Sequence, residues 1–165
     1  MRIAVVQCSN ISDDACLAGD AIVQRLRWAD EEGIDLTIFP KSFLLGHSYD
    51  PETIRSRASL AASAIAALCD RVAAFRSTLV VGAFDLVDGQ VFNSAIIIEA
   101  GRVVGRYCKA HPNEPGVCAC QRFTSLASRA SPQLRSSVKA RSPCAAMSHC
   151  PLDRPRRCRA WSGRR

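Results

Sequence analysis

No run of about 18 apolar residues occurs in the chain, which leaves no candidate for a membrane-spanning helix. The opening Met1-Arg2-Ile3-Ala4-Val5-Val6-Gln7 turns polar too soon for a secretory leader, so a cytoplasmic location is expected. Paired cysteines at the spacing of structural zinc sites are also missing. Cys118, Cys120, Cys144, His149, Cys150 and Cys158 do not conform, and no metal or other cofactor is expected. Nine cysteines remain, irregularly spaced and with no export signal, and they read as reduced thiols rather than a disulfide framework. Cys8, Cys16 and Cys69 fall within apolar runs and are expected to act as small buried hydrophobes.

Acidic residues are nearly absent from the last part of the chain. Up to residue 117 there are 11 Lys+Arg against 14 Asp+Glu, a balance of −3; from residue 118 onward there are 11 against Asp153 alone, a balance of +10. Together these make the net +7. Two domains of different character follow: 1–117, and a basic tail, 118–165, rich in Ser, Arg, Pro, Ala and Cys. The tail shows neither helical nor strand periodicity, so it is expected to be largely disordered. Its composition is also what an out-of-frame reading of a GC-rich gene would produce. Its charge could hold nucleic acid through counterion release, but no aromatic interleaving accompanies it, and a solvated tail is the expectation.

What is present before residue 117 alternates strand and helix signals, the mark of an α/β domain. Residues 3–6 and 36–39 are short apolar runs that read as buried strands. Between them Ser12, Asp13 and Asp14 supply helix-cap chemistry, and Ala18, Ile22, Leu26 and Ala29 recur at helical spacing until Gly33. Asp50 caps a second helix with Pro51 in its first turn, and Ile54, Ala58, Ala61, Ile65, Leu68, Val72 and Phe75 form one apolar stripe with the arginines off it. Residues 78–84, 91–98 and 102–107 read as strands joined at Asp88-Gly89 and Ala100-Gly101, an antiparallel meander. Two helices then cover one sheet face and leave the other bare, which favours self-association.

Three motifs in this segment are similar to those of the nitrilase superfamily of carbon–nitrogen hydrolases. Ile3-Ala4-Val5-Val6-Gln7 resembles its first strand. Asp35-Leu36-Thr37-Ile38-Phe39-Pro40 with Phe43-Leu44-Leu45-Gly46-His47 resembles its first catalytic motif, a strand ending in Pro-Glu and a loop ending in Gly-Tyr. The most specific match starts at Val81-Gly82-Ala83-Phe84 and Phe92-Asn93-Ser94-Ala95-Ile96-Ile97-Ile98. It continues through Gly101-Arg102-Val103-Val104 to Tyr107-Cys108-Lys109-Ala110-His111. The resemblance covers residues 2–117, less than half of a full family domain, and implies half of an α-β-β-α sandwich.

The resemblance implies hydrolysis of small amides or nitriles by a Cys–Glu–Lys set: a thiolate attacks, a carboxylate moves the proton, and an ammonium stabilises the developing negative charge. Lys109 matches the catalytic lysine, and Tyr107 and His111 match flanking positions that hold the loop. Lys41 stands where the family has its glutamate. A protonated ammonium cannot accept a proton, and it would repel Lys109 across a low-dielectric pocket. Glu114 follows Lys109 more closely than the second acid the family often carries. Cys144 falls at about the right separation for the nucleophile, but its setting has neither the preceding strand nor the following acid. The resemblance together with these substitutions implies a catalytically incompetent family member, or a non-catalytic binding or regulatory fragment.

Overall fold

The computed structural model describes residues 1–119 and 123–125. The expectations for the basic tail, and those for Cys120, Cys144, His149, Cys150 and Cys158, lie outside these residues except at Cys118 and at 123–125.

The local signals place the helices. Asp14 adopts extended backbone and accepts a hydrogen bond from the Leu17 N–H, starting α1 (Ala15–Glu31). Asp50 does the same for the Thr53 N–H, and Pro51 occupies the first turn of α2 (Pro51–Val72), where its missing N–H costs nothing. The apolar stripes of both helices meet one sheet. Ala18, Ile22 and Leu26 from α1 share a buried cluster with Ala61, Ile65 and Leu68 from α2 and with the sheet residues Leu79, Val81, Ile96 and Ile98. Phe75 lies beyond the end of α2 and still packs, partly buried, against that cluster.

The sheet has six strands in sequence order: β1 (Ile3–Val5), β2 (Leu36–Ile38), β3 (Thr78–Val87), β4 (Gln90–Glu99), β5 (Arg102–Cys108) and β6 (Phe123–Ser125). The first three run parallel, linked through α1 and α2 on one face, and the rest form an antiparallel meander. The two hairpins are tight because Asp88-Gly89 and Ala100-Gly101 all take positive φ, 50° and 76° in one and 47° and 71° in the other. That backbone matches the right-handed twist of the flanking strands and fixes the pairs Val87–Gln90 and Glu99–Arg102. β6 lies past the change in composition at residue 118 and pairs with β5 at Gly105–Tyr107.

Among the described residues no helix covers the other face. Ile3 and Val5 are 49% and 76% exposed, which corrects the expectation of a buried first strand: β1 is an edge strand covered on one side only. Two thiols also depart from expectation. Cys69 is buried on the inner side of α2, but Cys8 follows the end of β1 and Cys16 points away from the stripe of α1, so both are exposed.

Arg57 is the other departure. It lies off the apolar stripe, as read, yet is buried, because the chain before α1 brings Asp13 against it in a fork of two 2.7 Å hydrogen bonds. Those bonds hold the Asp13 carboxyl below its usual range despite some desolvation. Replacing Arg57 by Met should lower stability in urea unfolding by roughly 1–2 kcal/mol, the cost of charge-assisted bonds offset by removal of the unpartnered buried Nη1.

Candidate functional site

Pro40 ends the run after β2, and residues 41–46 turn back against Gly82 of β3. This loop is anchored at its apolar residues: Phe43, Leu44 and Leu45 are buried, the Phe39 and Phe43 rings pack at a tilt of 39° with centroids 5.1 Å apart, and the Leu44 N–H donates to the Gly82 carbonyl at 3.1 Å. Lys41, at the start of the loop, is left at the rim. β5 runs in the same direction as β2, and just past its end the Lys109 N–H donates to the Asn93 carbonyl at 2.8 Å. Two lysines therefore stand at the carboxyl ends of parallel strands, where ligands of open α/β sheets bind.

Both lysines reach one buried carboxylate. Lys41 Nζ donates to Glu114 Oε1 at 3.1 Å, and Lys109 Nζ to Glu114 Oε2 at 3.2 Å and to Asn113 Oδ1 at 2.7 Å. Asn93 Nδ2 donates to Oε1 at 2.9 Å, His47 Nε2 lies 3.2 Å from the same oxygen, and the Asn113 N–H donates to Oε2 at 3.1 Å. The Glu114 side chain has no exposed surface. Burial alone would raise its pKa. The bonds from Lys41, then Lys109, its own backbone and His47, outweigh that and hold the carboxyl well below the usual carboxylate range. His47 is itself held edge-on by the Tyr49 ring at 4.8 Å.

A pocket of about 270 Å³ is lined by both lysines. Ile38, Phe39, Val80, Ala95 and the Tyr107 ring supply apolar wall, and Lys41, Lys109, Asn93 and Ser94 the polar end. The buried Glu114 does not line it. The structure thus brings together Lys41, Lys109 and Tyr107 among the expected site residues. His111 is exposed and outside the lining. The mutual repulsion expected of Lys41 and Lys109 is relieved by Glu114, whose part is not legible in the sequence because it depends on residues distant from it. His47 and Asn93 fall within the motifs but have no role assigned by the sequence; Asn93, a buried amide on an apolar strand, is the stronger signal of the two.

Among the described residues no cysteine lines the pocket, no group of three or more His, Cys, Asp or Glu is placed to hold a metal, and no helix is long and apolar enough to cross a membrane.

The model of the carbon–nitrogen hydrolase family matches residues 2–136, running past residue 117. Among solved structures, an amidase from Nesterenkonia sp. aligns with a TM-score of 0.64 at 24% identity, over 74% of this chain and 49% of its own. A glutamine-dependent NAD+ synthetase from Acinetobacter baumannii aligns with a TM-score of 0.62 at 21% identity, over 73% and 24% respectively. A carbon–nitrogen hydrolase from Helicobacter pylori G27 aligns with a TM-score of 0.60 at 18% identity, over 72% and 44%. The chain thus spans from a quarter to a half of these proteins' lengths. No curated protein matches it.

Proposed function

The chain belongs to the carbon–nitrogen hydrolase family, and we propose that it keeps the family's pocket for small amide-type molecules but does not hydrolyse them. The observation that carries this reading is the tie of Lys41 and Lys109 to the single buried carboxylate of Glu114. Lys41 stands at the place the family resemblance gives to the general base, and it is a donor. Glu114 cannot replace that base: a carboxylate stabilised so strongly in its ionised form has little tendency to take a proton. Lys109 matches the lysine that stabilises negative charge in hydrolysis, but here its ammonium already faces an anion. A thiol able to attack is not brought to the lining by the described residues.

The expected result is no ammonia release above background from short-chain amides or nitriles, with Lys109→Ala making no difference. Release that this substitution abolishes would refute the reading.

A further inference from the structure

Resting on that reading of a non-hydrolysing pocket, we propose that its preferred ligand is a small organic anion, a short-chain monocarboxylate held by the ammonium of Lys41 beside the positive charge of Lys109.

The first support is charge. Two ammoniums and one carboxylate leave the cluster with an excess positive charge, and both lysines line the pocket while the buried Glu114 does not. An entering anion meets the cations first.

The second support is donor and acceptor matching. Glu114 Oε1 already receives Lys41 and Asn93 and lies beside His47; Oε2 receives Lys109 and the Asn113 N–H. Neither oxygen is left to accept from a ligand. An ammonium carries three N–H donors. Among the described residues Lys41 directs one to Glu114, and its side chain is 52% exposed, whereas Lys109 directs its donors to Asn113 and Glu114 and contributes charge. The cationic end of the pocket therefore offers donors. A carboxylate, which only accepts, satisfies them with both oxygens through charge-assisted bonds. An amide of the same shape presents an NH2 group to the Lys41 ammonium and loses one acceptor, so the pocket discriminates against the neutral molecule its relatives' family hydrolyses.

The third support is the rest of the lining. Ile38, Phe39, Val80, Ala95 and the Tyr107 ring give an alkyl chain a surface to cover, in a volume of about 270 Å³ that suits a few carbons. Inorganic anions gain nothing there. Each methylene added to the acid should tighten binding by about fourfold until the wall is filled.

The test is titration of the full chain with acetate, propionate, butyrate and butyramide at neutral pH, followed by calorimetry or by side-chain NMR shifts. Affinity should rise from acetate to butyrate, fall with added salt, and be weaker for butyramide by at least about tenfold. Lys41→Met should weaken butyrate by a similar factor; if that variant does not fold, the series on the unaltered chain decides alone. Butyramide binding as tightly as butyrate, affinity indifferent to chain length, or no binding of any acid at tens of millimolar would each overturn the proposal. The ammonia assay is independent. A chain that hydrolyses amides yet prefers butyrate contradicts the proposed function and leaves this inference standing. One that binds butyramide equally well without turnover does the reverse.

Discussion

Glu114→Gln is expected to destabilise the folded chain by roughly 3 kcal/mol in urea unfolding, the lower end of the range for breaking a buried ion pair, because both lysines retain some contact with water. The glutamine keeps the shape and loses the charge. Lys41 and Lys109 then face each other with no anion between them, and the new NH2 group points a donor at one of two places where donors already converge. The pH dependence should identify the cause. The folded carboxyl titrates below its unfolded value of about 4.5, so its contribution is complete above that pH and is lost as pH falls through and beneath it. The stability gap between the native chain and the variant should therefore be constant near neutrality and close progressively below about pH 4. A gap unchanged in acid would assign the loss to packing instead of charge.

Gly82→Ala is expected to cost about 3 kcal/mol and to disturb the pocket at once, which a surface substitution would not. A Cβ at this position would lie 2.5 Å from Lys41 Cα and 2.6 Å from Lys41 C, and nearer still to the Ser42 nitrogen. These are backbone atoms, so no side-chain rotation relieves the overlap. The loop must lift, breaking the bond from the Leu44 N–H to the Gly82 carbonyl and drawing Lys41 away from Glu114. The variant should show a lower urea midpoint together with weakened butyrate binding. A fall in stability with binding intact would mean that the loop does not position Lys41.

Local chemistry was the legible part of the fold. The caps at Asp14 and Asp50, the apolar stripe of α2 and the two Gly-containing hairpins each depend on residues within a few positions of one another, and each stands where the pattern places it. Contacts between distant residues were not legible. Arg57 reads as a solvent-facing helix residue, and only its partner Asp13, 44 positions earlier, explains its burial. Lys41 and Glu114 are 73 positions apart, so a lysine that reads as a bare replacement of an acid turns out to be half of a pair. Lys109 could be named because a long motif surrounds it. The exposure of Cys16 is not legible in the same way, because an apolar neighbourhood does not say which side of α1 a residue takes.

The clamp of one buried carboxylate on two lysines carries both the proposed loss of hydrolysis and the proposed preference for an anion. Its most direct test is the 13C shift of the Glu114 side-chain carboxyl in a selectively labelled chain, followed from neutral pH down to the onset of acid unfolding. The clamp predicts a shift that stays at its ionised value through the ordinary carboxylate range. A titration midpoint near 4.5 in the folded chain would contradict it.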